Sequence, residues 1–188
     1  MLRRFTPVIV VFATALLSAC SSTMAPVAGT DNVCVGEVQP MPPGVVEVAD
    51  PALLARALGA PLQGKLCQGK VGQLQAGQTL TVYRVWDSSK PYTALGGWWS
   101  LQRPQGPRDA YRLANDICPS WSALDHLSRC TLKPGARMVL GPGQSAQCGE
   151  TQIYPPSAVN QVYLPNDAQH QQVVVEHCED LGSWPTPP

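Results

Sequence analysis

Seven cysteines in a chain of 188 residues constrain this fold more than any other feature: Cys20, Cys34, Cys67, Cys118, Cys130, Cys148 and Cys178. Cys20 closes an apolar N-terminal run and stands apart. The remaining six are an even set with no C-x-x-C spacing, which in an exported chain reads as three disulfides. Spacing favours Cys118–Cys130, which flank one short segment, and Cys34–Cys67, both in the N-terminal part. Cys148–Cys178 then follows by elimination. A metal site is not expected, since His126 and Cys130 make half a site at most. A catalytic thiol needs an unpaired cysteine, and the count leaves none.

The export signal is legible at the start of the chain. Arg3 and Arg4 precede an apolar run over 7–17, too short for a comfortable membrane span and laid out as a secretory leader. The run ends in Leu17-Ser-Ala-Cys20. That tetrad resembles the lipobox of bacterial lipoproteins, which implies cleavage after residue 19 and lipidation (palmitate among the acyl chains) of the Cys20 sulfur. Acyl chains on Cys20 anchor the chain to a membrane. Ser21 and Ser22 follow rather than an acidic residue. In lipoproteins of enteric type this implies the outer membrane, with the domain facing the periplasm.

Composition narrows the rest. Thirteen bases balance thirteen acids and no basic run exists, which argues against a nucleic-acid partner. Charged residues are 14% and hydrophobic residues 44%, so the bulk of the chain has the means to bury a core. Nineteen prolines and sixteen glycines exclude a long-helix protein. Residues 20–45, rich in Ser, Thr, Pro and Gly, read as lipid anchor and tether, 46–181 as a single globular domain, and 182–188 as a frayed tail.

Within the domain, Asp50-Pro51 opens a helix that Gly59 stops, with Leu53, Leu54 and Leu58 as its apolar stripe. Residues 79–86 read as a strand and 96–101 as a shorter one. Pro107 opens a helix to 117, and Ser120 caps a further one over 121–128. Strands follow at 136–140, 161–164 and 171–177. The order predicts an α+β fold: a mostly antiparallel sheet with a few short helices, stapled by three disulfides.

Both phenylalanines, Phe5 and Phe12, fall in the leader, so every later aromatic is Trp or Tyr. Tyr83, Trp86, Trp98 and Trp99 cluster in sequence and suggest a contact face or a cleft lining; a core and its rim is the plainer use. Gly141-Pro-Gly143 follows a strand but opens no helix, so it is not a phosphate-binding turn. No G-x-S-x-G elbow exists, and His126, His170 and His177 lie in no hydrolase context.

One ordered set remains: Tyr83-Arg84 in a strand, Gly97-Trp-Trp-Ser100, a helix with Arg108 and Arg112, Gly141-Pro-Gly143, and Asn160-Gln161 in a late strand. Over residues 79–165 this order resembles two groups of NAD-consuming domains from bacterial polymorphic-toxin systems. They are the ADP-ribosyltransferase-like and the tuberculosis-necrotizing-toxin-like NAD glycohydrolase families. The resemblance implies that Arg84 holds a diphosphate, that Ser100 supports the pocket, that Trp98 or Trp99 lies beside a ring of the substrate, and that Gln161 orients the attacked ribose or a water. The chain departs from it in having no Glu-x-Glu pair and in carrying many cysteines. The plain alternative pairs Arg84 with Asp87 or Asp109 at the surface.

Three readings follow. The leading one is a lipid-anchored envelope protein that binds a protein or glycan partner through the Tyr83, Trp86, Trp98 and Trp99 face, with no cofactor. The second is an enzyme consuming NAD as substrate, with Arg84, Ser100 and Gln161 at its site. The third is a periplasmic immunity lipoprotein that neutralises a toxin.

Overall fold

The computed structural model describes residues 33–185; the leader, Cys20 and the last three residues lie outside the described residues. Ten strands, two α-helices and one 3-10 turn make up the domain. They are β1 (Val45–Glu47), α1 (Pro51–Ala57), β2 (Lys70–Leu74), β3 (Thr81–Trp86), a 3-10 turn (Pro91–Leu95), β4 (Trp98–Trp99) and α2 (Arg108–Ala114). Then come β5 (His126–Leu132), β6 (Arg137–Gly143), β7 (Ala146–Gln147), β8 (Ile153–Tyr154), β9 (Ser157–Tyr163) and β10 (Val175–Ser183).

The strands form a five-stranded sheet in the order β1-β2-β6-β9-β4, a three-stranded sheet β10-β5-β3 and a β7-β8 hairpin. Every strand pair is antiparallel. The α+β fold with a mostly antiparallel sheet and short helices is therefore the observed one. The two larger sheets are stitched at one point, where the Tyr83 and Ser100 backbones exchange both hydrogen bonds.

Alternation along the strands divides the side chains of the large sheet between two faces. Leu74, Met138, Leu140, Val162 and Trp99 point one way and meet Val82, Cys130, Leu132 and Val175 of the small sheet in the main core. Val71, Val139, Trp98 and Tyr163 point the other way, where α1 covers part of that face with Leu53 and Ala57. Helix α1 starts where the sequence places it: the Asp50 side chain accepts from Leu53 N at 2.9 Å, with Pro51 at the first helical position. A third cluster joins Val85, Leu124, Leu127 and Trp184 to Tyr111 and Ile117.

Several sequence expectations change. The three disulfides are Cys34–Cys67, Cys118–Cys148 and Cys130–Cys178, so two of the three expected pairings are exchanged. Nearness in sequence misleads because Cys130 lies in β5, opposite β10 and its Cys178, whereas Cys118 stays behind in the loop after α2. The helix over 121–128 does not form. The chain turns through 119–125, Leu124 takes a left-handed φ of 50°, and β5 begins at His126. Strand β2 escapes the pattern because Gly72 interrupts its apolar residues, and a glycine is needed there: a Cβ would sit 2.5 Å from the Val45 side chain.

The tether and the tail are both shorter than the sequence suggests. Cys34 is bonded to Cys67, Gln68 Nε2 donates to Gly36 O, and the Asn160 amide bridges Glu37 and Gln39, so residues 34–45 belong to the domain. Trp184 is 3% exposed and its Nε1 donates to Pro104 O, so the chain is fixed through residue 184 rather than frayed from 182.

Candidate functional site

Gly141 and Gly143 lie opposite Gln161 and its neighbours on the second face of the large sheet, beyond the part that α1 covers. The missing side chains make room. A Cβ on Gly141 would stand 1.9 Å from Gln68 O, and one on Gly143 would stand 1.9 Å from Asp116 Oδ2 and 3.0 Å from Gln161 Nε2. The Gly-x-Gly pair therefore admits a packed loop against the strand.

A cavity of about 190 Å³ lies here. Its polar lining is Arg84, Gln161, Asn115, Asp116, Ser122 and Lys65, and its walls include Trp98 and Trp121. Three of the lining residues, Lys65, Asp116 and Leu124, hold left-handed backbone conformations with φ between 50° and 68°. Such conformations are uncommon for residues other than glycine and persist where the surrounding structure over-determines them.

Arg84 projects from β3 and is partly buried. Its Nε donates to Thr93 O and its Nη1 to Trp98 O. A guanidinium carries five N–H donors, so its capacity is not exhausted by these two bonds. No carboxylate pairs with it among the described residues: Asp87 instead pairs with Lys90, and the surface pairings of Arg84 with Asp87 or Asp109 do not occur. Burial lowers its pKa to about 10, which leaves it cationic at neutral pH. Burial pushes Tyr111 up to about 12 even with the Arg84 charge acting on it, so the phenol supplies no counter-charge. Arg84 also lines a second cavity of about 400 Å³ with Arg56, Tyr92 and the 165–172 loop.

Gln161, 6% exposed, donates from Nε2 to Asn115 O at 3.1 Å. That bond turns its amide and leaves Oε1 as an acceptor for something else. Asp116 is the group that sequence reasoning missed. It is 2% exposed, and neither carboxyl oxygen has a hydrogen-bond partner. Burial alone raises its pKa to about 7, which populates both protonation states near neutrality. Its sequence context disguises it: Arg112 lies four residues earlier and suggests a helical ion pair. The helix ends at Ala114, however, and Arg112 bonds the carbonyls of Cys118, Ser122 and Ala123. This clamp and the Cys118–Cys148 bridge hold the loop that carries Asp116.

The other expected site residues lie elsewhere. Ser100 does not line the cavity; its Oγ donates to Gln102 O, on the Tyr111 side of Arg84. Trp99 is 3% and Trp86 8% exposed, both core residues with their indole N–H groups bonded internally. Tyr83 is partly buried against the third cluster, and Trp98 packs on Tyr163 with ring centroids 5.0 Å apart. Tyr83, Trp86, Trp98 and Trp99 thus form no common exposed face, because the alternation of β3 and β4 sends them to different cores. The exposed indole is Trp121, 47% exposed, at the cavity rim.

Among the described residues no group of His, Cys, Asp or Glu is placed to hold a metal ion, and no helix is long and apolar enough to cross a membrane. No protein-family model matches the sequence, and no curated protein and no solved structure is similar to it.

Proposed function

We propose that the domain is a small-ligand enzyme that cleaves a nicotinamide dinucleotide, held at the outer membrane, facing the periplasm, by lipid on Cys20. The observation that carries the reading is the meeting of Arg84 and Gln161 with Trp98 on one cavity, from three different strands. A partly buried cation with no carboxylate partner among the described residues suits a phosphate or another anionic group. A space of about 190 Å³ takes one substituted ring, and the second cavity, which shares Arg84, offers room for the remainder of an elongated ligand. A partner-binding face built on the four aromatic residues has less support, since two of the four are core residues.

The chemistry asks little of the protein. The bond between the ribose C1′ and the pyridinium nitrogen breaks, and its electron pair stays with the leaving ring, which becomes neutral without a proton. Water adds to the ribose carbon and loses a proton. Arg84 holds the anionic part of the substrate, Trp98 and Trp121 offer faces to a planar ring, and Gln161 Oε1 accepts from the attacking water or from a ribose hydroxyl. Catalysis then rests on position and on fixed dipoles.

The test is NAD turnover by the full chain, produced through an oxidising route so that its disulfides form. Wild type is compared with Arg84→Lys and Gln161→Ala. Turnover that falls at least about 100-fold in both variants supports the reading. No turnover by folded wild type overturns it. Cys20→Ala moves the protein from the membrane to the soluble fraction if the anchor is as proposed.

A further inference from the structure

The fold uses only part of the Arg84 guanidinium. Nε and Nη1 are bonded to the carbonyls of Thr93 and Trp98. Nη2 has no hydrogen-bond partner among the described residues, and it is not one of the unpartnered atoms sealed from solvent. Its donors are therefore open to a group from outside. Gly96 shows which way they open. A Cβ on Gly96 would collide with Nη2 and Cζ, and Gly96 and Thr93 both line the cavity of about 400 Å³. The Nε–Nη2 edge of the guanidinium thus lies along the wall of that cavity, where the wall carries no side chain.

A second cation lines the same cavity. Arg56, in the last turn of α1, is exposed, and its side chain makes no ion pair and no hydrogen bond among the described residues. Asp50, whose titration feels the Arg56 charge, is bonded to Arg137 and to Leu53 N instead. The acid on the cavity wall is Asp167, and its carboxylate is engaged by the backbone N and the ring Nδ1 of His170. Gln169 and Gln172 add uncharged amides. Two cations on one cavity, with its acid already engaged, draw an anion there.

We propose that this cavity is a phosphate-binding site, taking the diphosphate of a small ligand, and that Arg56 is its second cation beside Arg84. The chemistry of the two side chains favours phosphate over carboxylate. The two oxygens of a carboxylate match one guanidinium fork, whereas a diphosphate has oxygens enough for two forks at once. The assignment also orients the ligand. Its anionic part lies in the cavity of about 400 Å³, which leaves the smaller cavity, on the Trp98 side of Arg84, for a ring. The inference rests on Arg84 meeting an anion, as the proposed function does, but not on turnover of any dinucleotide.

Calorimetric titration of the full chain at low salt, with its disulfides formed, tests this with inorganic pyrophosphate and with malonate, a small dicarboxylate. Wild type is expected to bind pyrophosphate at least about tenfold more tightly than malonate. Arg56→Ala removes an exposed side chain that the fold does not use. It is expected to weaken pyrophosphate binding at least about tenfold while thermal unfolding stays unchanged. Arg56→Lys keeps the charge without the fork and is expected to recover only part of that loss. Arg129→Ala removes the same charge from a residue outside the cavity, paired with Glu179, and is expected to leave binding unchanged. No pyrophosphate binding by wild type, equal affinity for malonate, or a loss in Arg56→Ala no larger than that in Arg129→Ala overturns the proposal. Pyrophosphate binding without NAD turnover sinks the enzymatic reading and leaves this one standing; NAD turnover by a protein that does not bind pyrophosphate does the reverse.

Discussion

Replacing Asp116 by asparagine should make the protein more stable, and increasingly so as pH rises. Burial without a partner raises the folded-state pKa of Asp116 to about 7, whereas an aspartate in an unfolded chain titrates near 3.9. Between those values the native state keeps a proton that the unfolded state has lost. Wild-type stability therefore declines as pH rises from about 4 to about 7, and its Asp116 contribution is level above that. Each pH unit is worth about 1.4 kcal/mol, so the interval sets a ceiling of about 4 kcal/mol. Relaxation and water reaching the cavity reduce it, and a gain of about 2 kcal/mol is a fair expectation.

Asparagine has the same shape, tolerates a φ of 54° and has no proton to lose. Urea unfolding with the disulfides intact, at several pH values from 4 to 8, supplies the difference between variant and wild type. Asp50, Asp87, Asp125 and Asp167 have lowered pKa values and act in the opposite sense, but they are common to both proteins and cancel. A difference that starts small at pH 4 and grows by about 2 kcal/mol by pH 8 is expected. A flat difference across that range, or a variant less stable than wild type at pH 8, refutes the claim that this carboxyl lies buried and uncompensated.

Other substitutions probe the same construction. Gly143→Ala puts a Cβ 1.9 Å from the Asp116 carboxyl and 3.0 Å from the Gln161 amide; thermal or urea unfolding should show a loss of about 1–3 kcal/mol, with ligand binding lost alongside. Arg84→Ala removes the side-chain donor of the Thr93 and Trp98 carbonyls; Thr93 O keeps the Gly96 N–H, so a loss of about 1–3 kcal/mol, for the Trp98 carbonyl, is expected by urea unfolding. The double change Cys118→Ala/Cys148→Ala frees the loop that carries Asp116. It should cost about 2–4 kcal/mol and weaken ligand binding, whereas Cys34→Ala/Cys67→Ala should cost stability but leave binding nearly unchanged. Non-reducing peptide mapping of wild type checks the three pairings first.

The elements most visible in the sequence are those with a local cause. Asp50, Pro51 and the leucines of α1 carry their own start and stop signals, and the β-branched run of β3 has no helical alternative. Strand β5 was obscured because Ser120 and the residues after it satisfy a helical start, while the pairing that makes it a strand lies on β3 and β10, distant in sequence. Strand β6 runs past Leu140 through Pro142, which a central strand tolerates beside the register shift between Pro142 and Gly143. The same distance effect hid the disulfide exchange: Cys130 and Cys178 meet because β5 and β10 pair, and no spacing rule contains that pairing.

The site divides in a similar way. Arg84 and Gln161 are visible as a cation and an amide in strands, and the sequence alone determines six cysteines besides Cys20 and the residue types available to a site. It could not supply their company. That Arg84 lacks a carboxylate, that Trp86 and Trp99 turn into cores, and that Asp116 stands unpaired against a bare glycine are facts of burial and of long-range pairing. Local sequence sets the conformation of a segment through propensity and capping, which act over a few residues. Only the tertiary structure sets which polar groups lose their water, and that loss is what turns an ordinary aspartate into a group that titrates near neutral pH.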